Sequence, residues 1–155
     1  MDWFMALLAI TTAVRGLGAG IIYDVALVSL PVRRRIGAIR YAEYARANFE
    51  GRGVKTYATV SILGALLTIA VTAGAFAWGD SATVTWSVVV SFAATVLAFF
   101  GTLRALPALL SMRRTPGDEA ALSKALDRFA RWHTFSTAWQ MAAFLALVVA
   151  LANQQ

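Results

Sequence analysis

The sequence contains no cysteine and a single histidine, His133. The first absence removes disulfides, thiolate nucleophiles, iron–sulfur ligation and cysteine zinc sites together, and one histidine cannot build a multi-histidine metal centre. No cofactor is expected. Charge is scarce as well: Asp, Glu, Lys and Arg make up 14% of the 155 residues, where a soluble domain carries about 25%. Proline occurs only three times in a chain that is 59% hydrophobic. The opening MDWFMALLAI lacks the basic leading region of a cleaved signal, so the first apolar segment is expected to stay.

What is present is hydrocarbon in long runs. Crossing about 30 Å of lipid takes roughly 20 helical residues, and charge-free runs of that order lie at 56–79, 81–103 and 134–153. A fourth, 3–30, is interrupted only by Arg15 and Asp24. The expectation is an all-α integral membrane four-helix bundle, one domain over 1–155. Its spans are placed at about 3–30, 56–79, 81–104 and 132–152, with short interfacial helices in two cytoplasmic loops.

The formal charge of +6 would suggest nucleic acid in a soluble protein, but its distribution points to a membrane instead. Thirteen of the fourteen Lys and Arg fall between Arg33 and Lys55 or between Arg104 and Arg131, and the remaining connection carries only Asp80. With four spans, both basic loops share one side, which the positive-inside rule makes cytoplasmic. Both termini then face outward from a cell membrane. Nucleic acid is not expected as a partner; membrane lipid is.

Along the chain, Pro31 is expected to end the first helix, because proline cannot continue the hydrogen-bond ladder. Gly16, Gly18 and Gly20 offer either a groove for a neighbouring helix or room for a ligand. In the first basic loop Ile36, Ile39, Tyr44 and Phe49 oppose Arg40, Glu43, Arg46 and Glu50 at helical spacing, an interfacial helix released by Gly51 and Gly53. Tyr41, Tyr44 and Tyr57, and at the other side Trp3, Trp78 and Trp86, read as interface belts. Thr115, Pro116 and Asp118 resemble a helix start. Leu122, Leu126 and Phe129 then mark a stripe that becomes polar at His133, Ser136, Thr137 and Gln140, so this face should point into the bundle. SLPVRRR and ALPALLSMRR give a faint echo of two hairpin repeats.

Ionisable residues within spans mark functional candidates. Counting from Leu30 and from His133 puts Asp24 and Gln140 at similar depth, roughly 9–10 Å inside the boundary at 1.5 Å per residue. Asp24 and His133 are therefore the candidate bases, with Arg15, Gly20, Tyr23, Ser136, Trp139 and Gln140 as candidate ligand-binding residues. Arg15 lies nine residues from Asp24, on the opposite side of a regular helix. Either the glycines distort the helix or Arg15 serves a second interface, as in a homo-oligomer or a larger membrane complex.

GLGAGIIYDVALVSLPVRRRIGAIRYAEYARANFEGRG and FARWHTFSTAWQMAAFLALVVAL resemble the opening and the close of the anthrone oxygenase family of small four-helix membrane proteins. The resemblance rests on Gly16, Gly20 and Pro31 in the first helix and on Trp132 and His133 in the last. Most members have no assigned activity; the named ones oxidise anthrones with no evident cofactor. Members tend to place a basic residue one turn after the Trp–polar pair, where this chain has Thr134, Phe135, Ser136 and Thr137. The resemblance implies a cofactor-independent oxygenase of small, apolar, anthrone-like aromatic molecules bound in the cytoplasmic half of the bundle. The alternative is a non-catalytic subunit or scaffold that docks a partner through the Gly-rich first helix and the basic loops. A small transporter needs a polar path through both leaflets, and the outer half offers little beyond Arg15 and threonines.

Overall fold

A computed structural model describes residues 3–50, 52–78, 81–112 and 117–154 of the chain. Gly51, Asp80, Thr115, Pro116 and the side chains of Phe49 and Glu50, each singled out above, lie outside the described residues. All regular structure among those described is helical: α1 (Trp3–Asp24), a π-turn (Val25–Ser29), α2 (Leu30–Ile36), α3 (Ala38–Glu50), α4 (Gly53–Trp78), α5 (Ala82–Ser111) and α6 (Glu119–Ala152). Four of these stretches, Trp3–Ile36, Gly53–Trp78, Ala82–Ser111 and Glu119–Ala152, are long and apolar enough to cross a membrane.

Neither Pro31 nor Pro107 ends its helix. In α geometry the ring at 31 would strike the carbonyl four residues back. The chain instead widens into the π-turn just upstream, where the Leu30 N–H donates to the Val25 carbonyl, and so carries the helix axis through the proline. The helix stops six residues later at Gly37, whose φ of 83° is a left-handed value that glycine adopts without strain. Likewise α5 passes Pro107 and runs to Ser111, beyond the boundary expected near 104. The last helix begins at Asp118, whose carboxylate accepts from the Ala121 N–H at 2.9 Å, and it runs unbroken from the polar segment into the apolar one as expected.

The helices form a ring in the order α1, α4, α5, α6. The largest interface is α5 on α6, α1 packs on both α4 and α6, and α4 and α5 touch least although they are consecutive. One end of the ring carries Trp3, Trp78 and Trp86, all more than half exposed; the other carries the basic loops. At the tryptophan end Phe4, Leu8, Val71, Ala75, Val84, Val88, Leu147 and Ala150 close into an apolar plug. At the basic end Leu30, Tyr41, Ala42, Ala105, Ala108, Met112, Leu122, Leu126 and Phe129 form a second core.

That second core corrects the role expected for Tyr41. It is not a surface anchor: α3 docks across the end of the bundle and buries the ring, leaving the hydroxyl 3.3 Å from Ser29 Oγ. Burial pushes its phenol above the ordinary range because the phenolate would lose hydration. Tyr44 stays half exposed and Tyr57 lines the interior cleft described next. Arg33 pairs with Asp127 and Arg46 Nη2 donates to the Met112 carbonyl at 2.6 Å, tying α2 and α3 to the ends of α6 and α5.

Candidate functional site

The weak α4–α5 contact is the opening of a cleft of about 860 Å³. Below the apolar plug the two helices diverge toward the basic end, with Ile69 and Phe92 near the apex and Val54 and Met112 near the mouth. Its rim is apolar and exposed: Ile62, Ile69, Val96, Phe99, Leu106 and Leu110 present their side chains outward. Deeper in, the lining turns polar through the buried Arg15, Ser136 and Gln140 and the half-buried Thr95 and His133, with the exposed Ser61 and Thr102 adding hydroxyls at the edge. The cleft is thus open to the side and toward the basic end, and blind toward the tryptophan end.

Arg15 is the central feature. It leaves α1, passes over Gly64 of α4 and reaches α5, where Nη2 donates to Thr95 Oγ1 at 2.9 Å. It is 5% exposed, Nε has no partner among the described residues, and no carboxylate pairs with it there. A guanidinium offers five N–H donors, so most of its hydrogen-bonding capacity is unspent in an apolar surround. The absence of a side chain at Gly64 eases the crossing: a Cβ there would lie 3.1 Å from Arg15 Cδ and press the side chain aside.

His133 stands on α6 nearer the basic end. Its ring stacks on Phe129 with centroids 5.1 Å apart and lies against the Ile22 backbone, while Nε2 is buried with no partner among the described residues. Ile22 and Arg15 are two helical turns apart on one face of α1, as are His133 and Gln140 on α6. Along the bundle axis Arg15 and Gln140 therefore form one level and His133 another, about 10 Å away.

The hydroxyls between them are spoken for. Ser136 Oγ donates to the Ala98 carbonyl at 2.8 Å and sits 3.0 Å from Thr102 Oγ1; Thr95 and Thr137 donate to carbonyls one turn back in their own helices. They make a polar wall without competing for Arg15. Close approach of α5 and α6 at this level rests on Gly101, where a Cβ would meet the Phe135 ring at 2.9 Å and the Ser136 backbone nitrogen at 3.1 Å.

Of the residues expected at the site, Arg15, His133, Ser136 and Gln140 converge on the cleft, and Gln140 is buried as the stripe argument requires. Asp24, Gly20, Tyr23 and Trp139 do not line it. Asp24, Gly20 and Tyr23 are exposed on the outer face of the helix: once Arg15 points inward, a residue nine positions on must point outward. Depth also differs from expectation. The helix continues to Ile36, and the Ile22 contact sets Asp24 level with His133 rather than with Gln140. Gly20 has open space around it, whereas Gly16 takes the Phe144 ring of α6, so the groove serves α6 at one position only. Trp139 belongs to an edge-to-face ladder with Phe135 and Trp132 on another side of α6. Gly64 and Thr95 were missed, although Ser91, Thr95 and Thr102 share a helical face that echoes Ser136 and Gln140.

Comparison with known protein families, with characterised proteins and with solved structures finds no match to this chain.

Proposed function

We propose that the protein is a multi-pass membrane protein that takes a largely apolar, weakly acidic molecule from the cytoplasmic leaflet into the α4–α5 cleft and holds its ionised oxygen on Arg15. The basic loops lie in the cytoplasm and both termini outside. Counted from the tryptophan end, the first charge on each spanning helix apart from Arg15 is Asp24, Lys55, Arg104 or Arg131, each about 21–23 residues in, or roughly 32–35 Å. That distance matches the hydrocarbon thickness. Asp24 then sits at the headgroup boundary, where its exposure costs little, and Arg15 alone is charged near the middle. Because the chain has no cysteine, single cysteines at Gly37 and at Gln154 provide the topology test. The first should label only from the cytoplasmic side and the second only from outside; the reverse pattern would refute the orientation.

The observation that carries the proposal is the buried, mostly unpartnered guanidinium of Arg15 at the back of a laterally open cleft. An isolated cation in hydrocarbon costs about 2.5–3.5 kcal/mol on insertion scales, and an anionic ligand oxygen would offset that cost. The apolar rim suits entry from lipid, and the plug at the tryptophan end argues against passage through to the other side.

The same groups supply a chemistry consistent with the anthrone oxygenase resemblance. A carbon acid lying between His133 and Arg15 would give its proton to Nε2, and Arg15 would stabilise the enolate oxygen. The gap of about 10 Å accommodates one ring with a hydrogen-bond length at each end. The carbanion then reduces dioxygen, a C–OOH group forms, and loss of water leaves a ketone, so that CH2 and O2 become C=O and H2O. With an anthrone as substrate, oxygen uptake by the purified protein should exceed the spontaneous rate. It should fall by about 10²-fold or more in His133→Ala and remain at the parental rate in Asp24→Asn. Uptake that depended on Asp24 would overturn the assignment of the base to His133, and uptake that never exceeded the spontaneous rate would remove the oxygenase.

A further inference from the structure

The cleft has a second cation. Arg46, on α3, lines its mouth at the basic end, and like Arg15 it has a buried Nε with no partner among the described residues. Its structural duty is to cap α5: one terminal nitrogen donates to the Met112 carbonyl, where a cation also favours the negative end of the helix dipole. That leaves Nε and Nη1 for another acceptor. Among the described residues both guanidiniums are therefore pinned to α5 by a single bond each, Arg15 at Thr95 and Arg46 at Met112. The two anchor points are 17 residues apart, so the cations are separated by roughly 25 Å along the helix axis. Between them the wall is mostly apolar, with Phe99, Leu106, Leu109 and Phe129 among its residues. Among the described residues no carboxylate lines the cleft, so none of them neutralises either cation from within it.

We infer that the ligand carries acidic groups at both ends of an elongated apolar body, one received by Arg15 and the other by Arg46. This rests on the proposal that the cleft binds an acid through Arg15, and it adds the second anchor and the length; it is independent of the oxygenase chemistry, whose compact anthrone would engage Arg15 alone. A compact monoacid leaves Arg46 without an anion; a membrane lipid with an uncharged chain end leaves Arg15 without one. A molecule acidic at both ends satisfies the two together. An unbranched chain of about sixteen carbons with a carboxylate at each terminus spans the gap once a hydrogen-bond length is added at either end.

The test compares hexadecanedioic acid with palmitic acid, which has the same length and one carboxylate, on the full chain in nanodiscs of zwitterionic lipid at a pH where the acids are ionised. The diacid should bind at least about tenfold tighter, one charge-assisted contact being worth that factor or more. Arg46→Gln should bring the diacid to within about twofold of palmitate, an unchanged size-exclusion profile and unfolding temperature reporting that the bundle is still folded; Arg46→Lys should retain part of the preference. Equal binding of the two acids to the parent protein, or a preference that survives Arg46→Gln, would overturn the second anchor and leave the first intact. Failure of both acids to bind would overturn the Arg15 site itself.

Discussion

Arg15→Met is expected to weaken ligand retention by roughly 10- to 100-fold while leaving the empty bundle at least as stable as the parent. The two effects have one cause. Methionine is apolar and flexible enough to lie over Gly64, where Arg15 now runs with Cδ 3.1 Å from the position of a Cβ. It removes a guanidinium that is 5% exposed and has no carboxylate partner among the described residues. Replacing an uncompensated buried charge with hydrocarbon of similar volume is neutral or stabilising, and the single bond to Thr95 is worth less than the desolvation it accompanies. The anion, in contrast, loses its cationic partner deep in the cleft. A hydrogen bond to a charged group contributes about 1.5–3 kcal/mol, so affinity should fall by roughly 10- to 100-fold. Thermal unfolding in detergent with and without bound acid measures both quantities. A variant that unfolds at a markedly lower temperature when empty would show that Arg15 is a structural strut.

The second large effect is expected at Gly101. Leucine there must place its Cβ where the Phe135 ring lies 2.9 Å away and the Ser136 nitrogen 3.1 Å away. The ring can turn, but the backbone of α6 cannot yield without separating the most extensive interface in the bundle. Overpacking of this kind costs about 1–3 kcal/mol and sometimes more. Gly101→Leu should sharply lower the yield of monodisperse protein on size exclusion. Gly20→Leu is the matched control: nothing lies within 4 Å of its Cβ position, and a change of less than about 0.5 kcal/mol is expected. An equal loss in both variants would place the helix packing elsewhere.

Much of the architecture was legible because it depends on local properties of the chain. Four apolar runs of sufficient length, a continuous last helix, and the inward turn of Ser136, Thr137 and Gln140 all follow from hydropathy at 3.6-residue spacing. The opposition of Arg15 and Asp24 was legible too, as an angle. Which of them faces inward was not, since one helix seen alone has no inside. The helix end was misjudged at Pro31 because the usual effect of proline is a stop, whereas a π-turn upstream lets the helix continue; the third span was ended near its charge at 104, and the helix runs on to Ser111.

Composition and spacing by themselves determined that this chain makes four long apolar helices, that its positive charge gathers at one end, and that thiol and multi-histidine chemistry are excluded. These follow from quantities summed along the chain, which no partner surface can alter. Only the tertiary structure decided that α4 and α5 part below a plug built on Phe4, Leu8 and Leu147. The same packing sent Arg15 across Gly64 into that gap and left Asp24, Gly20 and Tyr23 outside it. Such outcomes depend on how side chains from three helices interlock, where the absence of one Cβ at Gly64 or Gly101 sets which surfaces meet.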